Sequence, residues 1–236
     1  MGMGFSKNDL ASINLYNRLI ESGIVYIFLN LLTNSFRRCS FVGGKTKTME
    51  TNKALAKSIY RHNLIIIALF CSTTLTPALI FFTTGPGEWM YLLGFITVSY
   101  LFSLLPLRFY DQIQWSQELS FYKKLRIHHF KKYVTNGDYI NRSIRRKFPT
   151  HKNVSDLESI NAKWQETYTS EKVHSVMFVF CLLTSIYALV IGAVGTTVFL
   201  SIGNLFLNYL PNLLQQYNRI RYKKVMDAYG VKGVTP

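Results

Sequence analysis

Glu171 and His174 stand three residues apart in the stretch "ETYTSEKVH" (Glu166–His174), a spacing that puts both on one face of a helix. Glu166 and Ser170 continue that face toward His174 in steps of four. The chain turns apolar immediately afterwards, at Val176, so the pair falls where water gives way to hydrocarbon. A carboxylate beside an imidazole at a partly dehydrated boundary is what a general base requires, because the carboxylate orients the ring and stabilises its protonated form. The competing reading is a helix-surface pair, worth about 0.3 kcal/mol.

A second group lies in "NLFLNYLPNLLQQYNRIR" (Asn204–Arg221). At about 100° per residue, Asn204, Asn208, Asn212, Gln215, Asn218 and Arg219 gather into one polar stripe that includes Pro211 and has Gln216 at its edge. Leu205, Phe206, Leu210, Leu213 and Leu214 occupy most of the remaining surface. An unpaired amide in hydrocarbon costs about 2–7 kcal/mol, so these groups face a helix bundle or a cavity. They serve either as hydrogen-bonding glue between helices or as the lining of a water-reaching substrate groove. The number of amides, together with Pro211, Arg219 and Arg221, favours the groove.

The elements that position these residues follow from how charge is distributed. Of 236 residues 49% are hydrophobic, yet the formal net charge is +15; the two characters coexist because they are segregated. No charged residue or histidine occurs from Ser175 to Asn218 or from Asn63 to Gly87, and Trp89–Leu107 is uncharged too. A spanning helix needs about 20 apolar residues, which predicts spans over 64–82, 89–107, 176–194 and 196–214. Gly192 and Gly195 mark the last turn. Strand signals are weak throughout. The expected fold is an all-α integral membrane protein with four transmembrane helices arranged as two hairpins, a cytoplasmic helical loop and an N-terminal interfacial helix.

This divides the chain into an N-terminal segment (1–62), a first hairpin (63–107), a basic loop (108–175), a second hairpin (176–214) and a basic tail (215–236). Lys and Arg number 9 in residues 1–62, 13 in 108–175 and 5 after 215. By the positive-inside rule, both termini and the central loop are expected to be cytoplasmic, in a multi-pass protein of a bacterial inner (cell) membrane. Anionic lipid headgroups account for the basic surplus. Nucleic acid is not an expected partner, because no zinc-finger, recognition-helix or aromatic-and-basic single-strand pattern is present.

Residues 10–36 are apolar but broken by Arg18 and Glu21, which suggests an interfacial amphipathic helix, with an irregular fifth span as the alternative. Within the central loop, residues 108–134 read as one helix and "TNGD" (Thr135–Asp138) as a turn. A basic helix through "YINRSIRRKF" follows, ended by Pro149. Ser155 and Asp156 ahead of Glu158 resemble a capping box, from which one helix should run unbroken from the cytosol into the third span. Cys39, Cys71 and Cys181 have no metal-ligand spacing, so neither a metal site nor a disulfide framework is expected. "MGMGFS" matches a myristoylation pattern of a kind that arises by chance, and no small-residue cleavage site marks a signal peptide.

"ETYTSEKVH" has the form ET-x3-E-x2-H, and "NYLPNLLQQYNRIR" ends in QYNR-x-R after an Asn- and Pro-bearing apolar helix. In this order, flanking a hairpin, the two resemble the paired signatures of the glycosyl-4,4'-diaponeurosporenoate acyltransferase family. "HHFKKYVTNGDYINRSI" (His128–Ile144) is similar to the basic segment ahead of that family's ET motif. The likeness covers roughly residues 105–225, and the N-terminal segment departs from the short family prototype.

The resemblance implies transfer of a fatty acyl group to a sugar hydroxyl of a glycosylated carotenoid. No bound cofactor is implied, only acyl-CoA or another acyl donor as co-substrate, and the partners are membrane lipids and a lipid-linked sugar acceptor. On this reading His174, Glu171 and Glu166 are catalytic. Thr167, Asn204, Asn208, Asn212, Gln215, Gln216, Tyr217, Asn218, Arg219 and Arg221 bind substrate, with Arg219 suited to a donor phosphate. A non-catalytic membrane protein that uses the stripe for lipid headgroups or a partner's helices remains the alternative.

The charge partition makes a testable statement about topology. Accessibility tags at Gly87 and Gly195 should react only from outside the cell, and a tag at Asn136–Gly137 only from inside. A central loop labelled from outside would overturn the architecture.

Overall fold

The computed structural model describes residues 71–83, 85–132, 138–149 and 156–230, together with Lys57 and Arg61. The expected interfacial helix over 10–36, the start of the first span and the turn at Thr135–Gly137 lie outside the described residues. All regular structure among those described is helical. Helix α1 opens with a π-helical turn, Cys71–Leu75, and continues as Thr76–Thr83. It is followed by α2 (Trp89–Ser103), α3 (Leu107–Gln112), α4 (Leu119–Lys124), α5 (Ile127–Phe130), α6 (Asp138–Lys147), α7 (Leu157–Val190) and α8 (Val194–Ala228).

Two of these, α7 and α8, are long and apolar enough to cross a membrane. At 34 and 35 residues each is about 50 Å long, well beyond the ~30 Å of a bilayer core. Much of their apolar surface points outward: Ile186, Leu189, Val190, Val198, Phe199, Ile202 and Phe206 are all exposed. Leu, Ile, Val and Phe on an outer face suit lipid far better than water. Of the four expected spans, two are thus present as helices of spanning length. The second stops early: α2 ends at Ser103 rather than at Leu107. Pro106 lacks an N–H and disfavours helical geometry at Leu105, and it serves instead as the N-cap of α3.

As expected, α7 runs unbroken from the polar segment into the apolar one. Its cap differs in detail from the expected one. Asp156 accepts from the Ser159 backbone at 2.8 Å and Ser159 Oγ accepts from the Asp156 backbone at 3.2 Å, so the partner is Ser159 and not Glu158. The α7–α8 turn at Ile191–Ala193 depends on Gly192, whose φ of +79° is cheap only without a Cβ.

Residues 108–134 do not form one helix. The chain leaves helical geometry between Gln112 and Leu119 because short polar side chains compete for the backbone. Gln114 Nε2 donates to the Ser116 carbonyl at 2.7 Å, and Ser116 Oγ accepts from the Glu118 N–H at 3.0 Å. A second corner follows at Arg126, a non-glycine residue with φ 55°.

Three apolar clusters join these elements. Toward the hairpin turns, Phe81, Phe82, Leu92, Met177, Phe180 and Leu200 pack together. Tyr187 stacks there on Tyr91 (ring centroids 4.4 Å apart) and accepts from the Glu88 N–H at 3.4 Å. At the opposite end, Tyr122 and Ile127 close over Leu213, Leu214, Tyr217 and Ile220 of α8. Tyr110 there meets Trp164, Tyr168 and Met226. Lys172 ties the end of α2 to α7 by donating to the Ser103 carbonyl at 3.2 Å, a helix C-terminal acceptor that a cation suits.

α1 and α8 approach closely at Gly203. A Cβ there would stand 3.3 Å from Thr74 Cγ2 and 3.6 Å from the Thr73 carbonyl oxygen. Gly203→Leu should therefore wedge the two helices apart and cost about 1–3 kcal/mol, read as a lowered unfolding midpoint in detergent. Gly195, with nothing within 4 Å of its Cβ position, should accept Ala without loss.

Candidate active site

The centre of the site is Glu171, carried on α7 with 1% of its surface exposed. Its Oε1 accepts from Gln216 Nε2 at 2.7 Å, and its Oε2 pairs with Arg219 Nη2. Both partners lie on α8, one turn apart on the face that meets α7. Gln216 is oriented from the other side as well: Oε1 accepts from the Tyr122 hydroxyl at 3.0 Å and from the Trp115 N–H at 3.4 Å. Burial pushes the Tyr122 phenol pKa up, which keeps it a neutral donor.

Arg219, 3% exposed, is the hub on α8. Besides Glu171 it reaches Asp111 Oδ1 and the Tyr110 carbonyl, each at 3.2 Å through Nη1. Its guanidinium lies 3.9 Å from the ring centre of Tyr168, the stacked geometry that suits this planar cation. The Tyr168 hydroxyl donates to Asp111 Oδ1 at 2.8 Å, closing the circuit. Tyr110, whose phenol burial pushes up to about 12, donates to the Phe102 carbonyl at 2.7 Å. One cation is thus shared between a buried carboxylate of α7 and a half-exposed carboxylate of α3.

The deeper amides are bonded from α8 to α7 and to one another. Asn204 Nδ2 donates to the Phe178 carbonyl at 3.0 Å, Asn208 Nδ2 to Asn204 Oδ1 at 2.8 Å, and Asn212 Nδ2 to Ser175 Oγ at 3.3 Å. Pro211 also has a consequence here. The Leu207 carbonyl would ordinarily accept from the N–H four residues on, and Pro211 has none. The helix relaxes into a π-helical turn over Leu205–Tyr209, as expected where an N–H is missing. The His174 imidazole lies close to the Leu207 backbone and the Asn208 side chain.

The structure therefore brings together Glu171, Gln216 and Arg219, and separately His174 with Asn208. The expected Glu171–His174 dyad is not formed: Glu171 turns to α8, and His174, half-buried, turns to the amide stripe. Glu166 pairs with Lys163 at 2.5 Å, five residues from Glu171 and on another face. Thr167 is buried and donates to the Trp164 carbonyl at 2.6 Å. Gln215 and Asn218 are half-buried on α8. Tyr217 packs against Tyr122, and Arg221 is exposed, 5.5 Å from the Tyr217 ring. Arg219, expected to meet a donor phosphate, is buried and paired with Glu171 and Asp111. Asp111, Tyr110, Trp115, Tyr122, Tyr168 and Ser175 were not expected at the site. A lone carboxylate just after an apolar run, in a loop carrying 13 cations, was the available signal for Asp111.

Two long apolar helices, joined at one end by a buried ionic and amide network that a basic helical loop completes, define a helical protein compatible with membrane association. Residues 106–228 match the family model described as glycosyl-4,4'-diaponeurosporenoate acyltransferase, and the chain belongs to that family. No curated protein and no solved structure matches it. The matched region begins at the N-cap of α3 and ends with α8, so it contains Asp111, Glu171, Gln216 and Arg219.

Removing one member of a buried ion pair leaves the other uncompensated, at a cost of about 3–5 kcal/mol. Glu171→Gln should therefore lower the unfolding midpoint sharply in detergent. Glu171→Gln combined with Arg219→Met should recover most of that loss, because no buried charge remains unpaired. A double variant as unstable as the single one would show that the pair does not act as a unit.

Proposed function

We propose that this protein is a membrane O-acyltransferase that moves a fatty acyl group from acyl-CoA or a similar donor to a sugar hydroxyl of a glycosylated carotenoid or related lipid. Family membership supplies the reaction class. The observation that carries the assignment to a site is His174, half-buried where α7 turns apolar and facing Asn208 and the Leu207 backbone. It is a base held in place at the depth where a lipid-linked hydroxyl would arrive.

In this reading His174 takes the acceptor's hydroxyl proton as the oxygen attacks the acyl carbonyl. The new oxygen–carbon bond forms, a tetrahedral oxyanion develops and the carbon–sulfur bond of the thioester breaks. His174 returns the proton to the departing thiolate. Asn208 and the Leu207 carbonyl hold the ring, a positioning task otherwise given to a carboxylate. Asn212 and Ser175, bonded to each other at 3.3 Å one residue and one turn from this centre, are the polar groups available for the oxyanion. Glu171, Gln216 and Arg219 position rather than react, holding α7 and α8 in register. The acyl chain lies against the outward apolar faces. α1 and α2 complete a four-span arrangement in the cell membrane, with the loop and both termini cytoplasmic.

A second reading has its own observation. Asn204, Asn208, Asn212 and Gln216 all donate within the protein, as packing glue would. In that case the chain would be a non-catalytic membrane protein binding lipid headgroups or a partner.

His174→Ala separates the two readings. Transfer, followed as acylated glycolipid in extracts of cells with and without the gene, should fall about 10²–10⁴-fold while the protein still accumulates in the membrane. Near-normal transfer by His174→Ala would remove the base role. Asn208→Leu should reduce transfer as well, because the ring loses its partner. If Asn208→Leu only lowered the unfolding midpoint in detergent, by about 0.6–2 kcal/mol, the amides would be glue.

A further inference from the structure

Arg219 is buried and already paired with Glu171 and Asp111, whereas another group of cations stands exposed where a phosphate-bearing ligand could meet it. α4 and α5 lie across α8 through Tyr122, Ile127, Leu213, Leu214, Tyr217 and Ile220. The apolar residues of the two short helices face inward, which leaves Lys123, Lys124 and Arg126 exposed on the outer rim. Arg221 of α8 joins them: it lies over Tyr217, which packs against Tyr122, the residue preceding Lys123.

Among the described residues, no carboxylate stands within ion-pair distance of these four cations; the recorded pairs are Lys131–Asp138, Lys163–Glu166 and those of Arg219. Glu118 is occupied with Ser120 at 2.7 Å. The field on this rim is correspondingly positive. Protonation of the adjacent His129 is disfavoured first by His128, then by desolvation, Lys132 and Arg126.

The corner between α4 and α5 is also held in a costly conformation. Arg126 has φ 55°, a left-handed geometry that disfavours a side chain by about 1–2 kcal/mol and that glycine would adopt freely. Strain of this kind, retained on an exposed cation, is characteristic of functional positions.

We propose that Lys123, Lys124, Arg126 and Arg221 form a phosphate-binding rim, one helix turn from the Gln216–Glu171 contact. In the acyltransferase reading, on which this role rests, the rim holds the phosphates of a coenzyme A-type donor while its acyl chain enters the apolar face. The same chemistry would hold an anionic lipid headgroup. The two sources differ in what else they carry, so they can be told apart.

The test uses full-length protein in uncharged detergent, titrated with coenzyme A and, in parallel, with dioctanoyl phosphatidylglycerol against dioctanoyl phosphatidylcholine. Replacing Lys123, Lys124 and Arg126 together by Gln should weaken binding of a phosphate probe about 10–100-fold at low salt, and pyrophosphate should compete in the unmodified protein. Loss confined to coenzyme A names the donor as the ligand; loss confined to phosphatidylglycerol names the headgroup. Arg126→Gly, which relieves the positive φ, should raise the unfolding midpoint yet still weaken binding, a combination that general destabilisation cannot produce. Unchanged affinity for both probes in the triple variant, or no affinity for either in the unmodified protein, overturns the rim. Phosphate binding intact in a protein that transfers no acyl group would overturn the acyltransferase reading alone.

Discussion

The Glu171–Arg219 pair is the constraint on which the rest of this structure depends. Two opposite charges sit almost completely out of water between α7 and α8, where each alone would carry a desolvation penalty of several kcal/mol. Coulomb attraction offsets that penalty only with well-placed additional hydrogen bonds. The sequence supplies them from three directions: Gln216 from α8, Asp111 and the Tyr110 carbonyl from α3, and the Tyr168 ring from α7. Sliding α8 by one turn against α7 would break all of them together. The pair therefore sets the register of the two long helices and draws the basic loop onto them. It also joins the two sequence motifs of this chain, since Glu171 belongs to one and Arg219 and Gln216 to the other.

The amide stripe divides into two parts under this constraint. The members toward the C-terminal end of α8, Gln216 and Arg219, belong to the network shared with the loop. Its deeper members, Asn204, Asn208 and Asn212, bond to Phe178, one another and Ser175 and not to the loop. Pro211 stands between the two parts. By removing one N–H it frees a carbonyl deep in α8, and His174 lies beside that carbonyl. What reads as a tolerated defect in an apolar helix thus creates a polar position in an otherwise dry one.

Much of the fold was legible because hydropathy and backbone chemistry are local. The apolar run after Ser175, the Gly192 turn and the unbroken passage of α7 from polar to apolar each follow from neighbours in sequence. The break after Gln112 was less accessible. It comes from Ser116 and Gln114 bonding the backbone, and helical periodicity does not register that competition. The site failed to read at one specific point. Spacing of three correctly put Glu171 and His174 on one helix face, but a cation on another helix outcompeted the nearby imidazole for the carboxylate. A buried carboxylate gains far more from a guanidinium and an amide than from a surface pair. Nothing local to "ETYTSEKVH" could reveal that Arg219 would be there.

That displacement changes what the site can do. A histidine backed by a carboxylate is stabilised as an imidazolium by a full charge, whereas His174 faces only the dipoles of a carbonyl and an amide. Dipoles fix a ring's orientation and tautomer well but stabilise its protonated form less. Such a base is suited to taking a proton as the hydroxyl oxygen bonds to the acyl carbon, so that a free alkoxide never forms. It is poorly suited to generating an alkoxide beforehand. The full negative charge at this interface is instead reserved for Arg219, where it holds two helices and a loop together. In the proposed reaction, this division assigns chemistry to the imidazole of His174 and mechanical stability to a buried ion pair one helix turn away. Under that proposal the two lesions are asymmetric: loss of Glu171 would act through the fold, and loss of His174 through the reaction.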